Sequence, residues 1–243
     1  MNIVITMGGL GSRFKKAGYN VPKYAIEAKG KTLFAWSMLS LKSFWDYSFI
    51  FLVRKEDEAT PFIQKECKML GIQSTIIEIE KLTRGQAETA MLAESVWDEN
   101  APLLIYNIDT YVKPGCMTPG VFHGDGFIPC FNAEGTHWSF VRLDAATGKA
   151  TEVREKKRIS DNCTIGAYYF LSAALYREVY QNVYEREGSL EDGERYVAPM
   201  YNYMVEHGKN VYIQNISSEC VHVLGTPEEL QDFLDLDSNF VDE

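Results

Sequence analysis

Long apolar runs are missing from this sequence. No stretch of about 18 consecutive apolar residues occurs, and no charged-then-apolar leader opens the chain, so neither a membrane-spanning helix nor a secretory signal is expected. A soluble, cytoplasmic protein is the expectation. An excess of positive charge is missing too: 24 Lys and Arg stand against 34 Asp and Glu, for a net charge of −10. Phosphate backbones are bound by basic surfaces, so a nucleic-acid polymer is excluded as partner, while a nucleotide in a local basic pocket is not. The five cysteines are odd in number and widely spread, with no C-x-x-C pair, and the four histidines are scattered. That leaves no disulfide framework and no zinc site, and the cysteines read as reduced thiols. Repeats and low-complexity linkers are absent, and no Ser, His or Cys triad is recognisable. What is present is core-forming material, 46% hydrophobic over 243 residues, enough for one large α/β domain spanning 1–243.

The first 23 residues hold the densest signal. An apolar strand, Asn2-Ile3-Val4-Ile5-Thr6-Met7, runs into Gly8-Gly9-Leu10-Gly11-Ser12-Arg13, and Val21-Pro22-Lys23 follows after a further loop. Clustered glycines let a backbone bend and bring its N–H groups close to an anion. Arg13 adds a bidentate fork and Lys23 a point charge, the two cation types that suit phosphate. Gly8, Gly9, Gly11 and Ser12 are therefore expected to cradle a polyphosphate. A dinucleotide fingerprint is ruled out because Phe14 stands where the third glycine belongs. Gly30-Lys31-Thr32 imitates the end of a nucleotide-triphosphatase loop, but Ala25 occupies the required glycine position and no apolar strand feeds it.

Strand and helix patterns then alternate. Helical periodicity predicts helices over 31 to about 43, 56–70 and 87–96, and continuous apolar or β-branched runs predict strands over 48–53, 72–79 and 102–106. Gly71 stands at the expected C-terminal position of the second helix. Such βαβ units imply a mainly parallel sheet with a ligand site at the carboxyl ends of its strands. From about 113 glycines and prolines mark turns, and short strands over 127–132, 137–143 and 165–171 suggest antiparallel material. Helices over 173–187 and 194–207, a strand over 210–216 and a last helix opened by Thr226-Pro227 complete the reading. The acidic end reads as a solvated tail.

Several residues could carry chemistry. Asp109 follows the 102–106 strand, where it either delivers a hard oxygen ligand for Mg²⁺ or simply forms a turn. Gly85 and Gln86 open the 87–96 helix; they either approach a base, with Gln86 offering donor and acceptor, or start a helix and no more. The charge cluster at 152–158 reads by itself as a solvated hairpin. Tyr168, Tyr169 and Tyr196 read as packing residues.

Together, G-G-x-G-S-R and the Pro22-Lys23 pair resemble the signature of the sugar-phosphate nucleotidyltransferases, and a compact bacterial subgroup tied to capsule or surface polysaccharide shares the texture of residues 9–23. The resemblance implies a Rossmann-like three-layer α/β/α domain with a small antiparallel acceptor-binding region. The nucleotide-binding half would span about 1–112 and the acceptor-binding half about 113–243. It implies Mg²⁺ on Asp109, base and sugar contacts at Gly85 and Gln86, and a sugar phosphate held near Glu155, Lys156 and Gly166. Lys157 departs from the proline that usually follows such a Glu-Lys pair. Before Gly225-Thr226-Pro227 the family commonly carries an Asp as second metal ligand, and here that position is Val223. Asp109 with substrate phosphates alone, a substitute acid such as Glu219 or Asp161, or loss of catalysis would each account for it. The implied reaction is attack of a sugar 1-phosphate oxygen on the α-phosphorus of a nucleoside triphosphate with release of pyrophosphate. Arg13 would grip the triphosphate and Lys23 bridge the reacting phosphates. A cytidylyltransferase acting on a phosphocholine- or phosphoglutamine-like acceptor and a non-catalytic nucleotide-sugar sensor are the alternatives. A homo-oligomer is also implied by analogy.

Overall fold

Unbroken apolar runs dictate the strands of the first half. In a computed structural model of the chain, which describes residues 1–186, 188 and 193–236, strand β1 (Asn2–Met7) is buried along nearly its whole length. The short helix α1 (Ser12–Lys16) is anchored by buried Phe14. A small hairpin of β2 (Glu27–Ala28) and β3 (Lys31–Thr32) follows, so Gly30-Lys31-Thr32 is turn and strand. Thr32 caps α2 (Leu33–Ser40): its Oγ1 accepts from the Ala35 N–H at 3.1 Å and donates to Glu66 at 2.8 Å, which ties α2 to the next helix. Beyond Leu41 that helix tightens into a 3₁₀ turn, Lys42–Phe44. Next come β4 (Ser48–Arg54) and α3 (Thr60–Leu70). Helix α3 starts at Thr60 rather than 56 because Lys55–Asp57 form a separate 3₁₀ turn and Glu58 is left-handed. Strand β5 (Ser74–Ile79), α4 (Gln86–Met91), β6 (Leu103–Asn107) and β7 (Thr110–Val112) complete this part.

The second part is built from β8 (Gly126–Phe131), β9 (Ser139–Leu143), β10 (Ala150–Glu155), β11 (Cys163–Thr164) and β12 (Ala167–Phe170). Half of the charge cluster at 152–158 is thus strand, paired with β9. Helix α5 (Ala173–Tyr180) passes into a π-helical turn, Gln181–Arg186, and α6 (Met200–Glu206) begins only after Pro199, leaving 193–196 extended toward the site. Strands β13 (Val211–Asn215) and β14 (Val221–Val223) and helix α7 (Pro227–Asp235) close the chain. Most of the segment between the helices expected over 173–187 and 194–207, and the acidic end at 237–243, lie outside the described residues.

Ten strands form one sheet among the described residues, in the order β10-β9-β11-β8-β12-β6-β1-β4-β5, with β13 parallel to β8. β6, β1, β4 and β5 run parallel, and β12 joins β6 antiparallel. Alternate residues of β1 serve opposite faces. Ile3 and Ile5 pack with Phe34 and Met38 of α2 and Ile63 of α3. Val4 packs with Ala87 and Ala90 of α4, Tyr176 of α5 and Met204 of α6. The result is a three-layer α/β/α sandwich. Fully burying one ring such as Phe51, 0% exposed, contributes about 1.5–3 kcal/mol. A third apolar cluster seats α7 through Leu230 and Phe233 on Trp36 and Tyr111. No described helix is long and apolar enough to cross a membrane.

Candidate active site

A cavity of about 1030 Å³ opens where the parallel strands end. This is where an open α/β sheet places ligands. Gly8, Gly9 and Gly11 border it after β1, as do Arg13 and Lys23, while Gly85 and Gln86 border it before α4. Asn107 and Asp109 reach it from the β6–β7 turn. Glu155, Gly166, Tyr168 and Tyr196 line it from the second part of the chain. Of the residues the sequence singles out, Ser12 and Lys156 do not line the wall. Ser12 opens α1 on its exposed side, and Arg13 and Lys15 are the α1 residues that border the cavity.

Lys23 and Asp109 meet at the centre. Lys23 Nζ donates to Asp109 Oδ2 at 2.7 Å, with side chains 18% and 29% exposed. The pair is half-buried, and both side chains border the cavity. Asp109 is held from behind, since its carbonyl accepts from the Leu224 N–H at 2.8 Å in the β7–β14 ribbon.

The glycines around the cavity differ in cause. A Cβ on Gly9 would meet nothing within 4 Å, and on Gly8 only ordinary contacts. A Cβ on Gly85 would lie 2.6 Å from the Arg195 carbonyl oxygen, and one on Gly166 would lie 2.2 Å from Asn107 Nδ2. Gly85 thus serves a close approach within the chain while also bordering the cavity. Gln86 is engaged as well: its Nε2 donates to Asn107 Oδ1 and to Thr6 Oγ1, leaving its carbonyl oxygen as the group it can offer a base. Gly166 makes room for Asn107, which Gln86 orients.

At the other end, Ser139 Oγ donates to Glu155, and Lys156 follows with a left-handed φ of 51°. That conformation costs a non-glycine residue of order 1–3 kcal/mol and persists where the surroundings impose it. Here the Lys156 N–H donates to the Trp138 carbonyl at 2.9 Å, and Nζ donates to Tyr196 Oη at 2.7 Å while lying 4.8 Å from the ring centroid. Lys156 reaches the cavity wall through Tyr196. Burial raises the Tyr196 and Tyr168 pKa values, so both stay neutral hydroxyls at neutral pH. Arg195, 6% exposed, anchors the wall. Its guanidinium donates to Tyr180 Oη and the Tyr184 carbonyl, and its backbone bonds Arg84 and Ala87.

Neither Glu219 nor Asp161 fills the place left by Val223. Glu219 is exposed in a 3₁₀ turn, and Asp161 pairs with Arg158 at 2.9 Å. A carboxylate beside Asp109 comes instead from Glu229 of α7. A Cβ on Gly225 would lie 3.3 Å from both Asp109 Oδ2 and Glu229 Oε2, so the two acids flank one small gap. Glu229 also closes the helix cap, accepting from the Gly225 N–H at 3.1 Å while Thr226 Oγ1 accepts from the Glu229 N–H. Among the described residues no three His, Cys, Asp or Glu side chains converge.

No protein-family model matches the chain, and no curated protein matches it. Among solved structures, the nucleoside-diphosphate-sugar pyrophosphorylase from Vibrio cholerae RC9 is similar with a TM-score of 0.88 and 35% identity, over 97% of this chain and 100% of that one. The chain belongs to the sugar-phosphate nucleotidyltransferase family. It is a nucleotidyltransferase-type enzyme. Two more distant structures share the fold of this nucleotidyltransferase. One is the inositol-1-phosphate CTP transferase from T. maritima, with a TM-score of 0.75 and 15% identity over 98% of this chain and 92% of that one. The other, from Bacillus anthracis, is described as a glucose-1-phosphate thymidylyltransferase, with a TM-score of 0.79 and 17% identity over 98% and 96%. Asn107, Arg195 and Glu229 escape a sequence reading of this nucleotidyltransferase. Asn107 directly precedes Ile108-Asp109, and Glu229 stands three residues after Thr226 in a capping-box pattern, so both had a local signal. Arg195 had none.

Proposed function

We propose that this nucleotidyltransferase condenses a nucleoside triphosphate with a sugar 1-phosphate, giving a nucleotide-diphospho-sugar and pyrophosphate for surface-polysaccharide precursors. The observation that carries this reading is one continuous cavity bordered by the glycine loop, the Lys23–Asp109 pair and the Glu155–Tyr196 wall. Both reactants fit a single space with cations between them.

The nucleophile is a phosphate oxygen, already an anion, so no general base has to create it. It attacks the α-phosphorus, the α–β bridging bond breaks and pyrophosphate leaves. Arg13 and the Gly8–Gly11 backbone take the triphosphate tail, and Lys23 stands where charge builds on the α-phosphate. Gln86 and Asn107 set the nucleoside edge of the cavity. Lys156, with Tyr196 and Glu155, orients the acceptor. Mg²⁺ fits the oxygen donors that Asp109 and Glu229 present around Gly225, and when bound it would neutralise charge on the triphosphate.

The test is pyrophosphate release with Mg²⁺, crossing CTP, UTP, dTTP, GTP and ATP with a panel of sugar 1-phosphates and phosphocholine. Release that needs one triphosphate and one sugar 1-phosphate supports the proposal and names both substrates. Release with phosphocholine alone replaces the sugar by a non-sugar acceptor. Triphosphate binding without release for any pair turns the site into a sensor.

A further inference from the structure

We propose that Cys116 and Cys220 are an oxidative modification site, joining in an intramolecular disulfide that fastens the neck between the two parts of the chain. The five cysteines divide by position. Cys67, Cys130 and Cys163 are buried, whereas Cys116 and Cys220 are half-exposed and face one another with their Sγ atoms 2.7 Å apart. Their facing is set by backbone bonds. The Lys113 N–H donates to the Cys220 carbonyl at 2.8 Å, the Cys116 N–H donates to the Lys113 carbonyl at 3.1 Å, and Gln214 Nε2 donates to the Cys116 carbonyl at 3.3 Å. Beside them, Val221 pairs with Val112 in the β7–β14 ribbon.

The two positions also matter topologically. The chain leaves the parallel part through β7 and Cys116, builds β8 to β13, and returns through Cys220 into β14. A bond between these sulfurs closes a loop that holds nearly all of the antiparallel material. It also clamps the ribbon whose far end carries Asp109 and Gly225.

Hydrogen peroxide supplies the chemistry. One thiol attacks the peroxide, giving a sulfenic acid and water; the second thiol displaces hydroxide from that sulfur, giving the disulfide and a second water. Two thiols lose two electrons and two protons, and the peroxide is reduced to two waters. Burial and the neighbouring sulfur push the Cys116 thiol up to about 11, so Cys116 stays protonated at neutral pH and its first oxidation is slow, while the adjacent sulfur captures the sulfenic acid once it forms.

The experiment uses the intact protein, treated with hydrogen peroxide or kept in a phosphine reductant, then denatured, titrated for thiols and mapped without reduction. The expected result is a fall from five titratable thiols to three, and one linked peptide pair containing Cys116 and Cys220. Closing so long a loop should raise Tm by roughly 10 °C or more. Cys116→Ser and Cys220→Ser should each abolish the linked peptide and the rise in Tm, while their reduced Tm stays near that of the reduced parent. Five thiols after oxidation, a linkage through any other cysteine or a disulfide-linked dimer overturns the site. A Cys116–Cys220 bond with unchanged Tm overturns the fastening.

Discussion

Gly9 and Gly85 border the same cavity, and a side chain added to each would meet opposite surroundings. Around Gly9 there is open space, and its backbone does not require a positive φ. Around Gly85 there is the Arg195 backbone, with the carbonyl oxygen at 2.6 Å, the nitrogen at 2.8 Å and a φ of 137°. One glycine keeps room for something other than the protein; the other keeps room for the protein itself. The comparison separates two regions that a motif treats alike. The loop after β1 borders open cavity, and the turn before α4 is shaped by a contact that joins it to the segment carrying Tyr196.

Replacing Gly85 by alanine should have the largest effect. Its conformation is one that only glycine adopts at low cost, and the opposing atoms are backbone, pinned by bonds from the Arg195 N–H to Arg84 at 2.7 Å and from the Ala87 N–H to Arg195 at 2.9 Å. Strain of about 1–3 kcal/mol plus weakened backbone bonds should lower the unfolding free energy by roughly 3–5 kcal/mol, read by urea denaturation. If Gly85→Ala unfolds like the parent, the contact with Arg195 is not what fixes this glycine. Next come Lys23→Ala and Asp109→Ala, which act on chemistry instead of fold. Each should lower kcat/KM by roughly 3 kcal/mol, about a hundredfold, with a much smaller effect on Tm, because the pair is half-buried at the cavity wall and not in the core. A variant retaining more than about a tenth of the parent kcat/KM, a loss of ~1.4 kcal/mol, contradicts the assigned role.

How much of this was legible in the sequence depends on how far apart the partners lie. The alternating first half followed from uninterrupted runs such as Phe49–Val53 and from the Gly8–Arg13 turn, where neighbours in sequence are neighbours in space. Asp109 and Lys23 could each be found from a local pattern, and the structure shows that they touch. The reason for Gly85 could not be found that way, because the atom it avoids belongs to Arg195. Nor could the Cys116–Cys220 contact, whose members are 104 positions apart. Glu229 lay in between. Its spacing from Thr226 announced a helix cap, but only the packing of α7 brings the same carboxylate beside Asp109.

That dual use can be tested by Mn²⁺ binding, followed by electron paramagnetic resonance with the triphosphate present. Glu229→Gln should weaken the ion by about tenfold, the size usual for a supporting ligand, and Val223→Asp in that background should restore it. Unchanged affinity would leave Glu229 a helix cap and no more.

Gly9→Ala returns to the opening contrast with the smallest effect. Nothing in the protein opposes the methyl group, and fewer unfolded conformations to lose should leave stability equal or higher by about 0.4–1 kcal/mol. On the proposed phosphate cradle, triphosphate binding should weaken by about 1 kcal/mol, since the methyl would stand in the path of the backbone N–H groups to phosphate. Calorimetric titration of the variant beside its melting curve reads both quantities. Loss of affinity with retained Tm at position 9, set against loss of Tm at position 85, separates a glycine kept for a ligand from a glycine kept for the fold. Equal losses of Tm at both positions would erase the distinction.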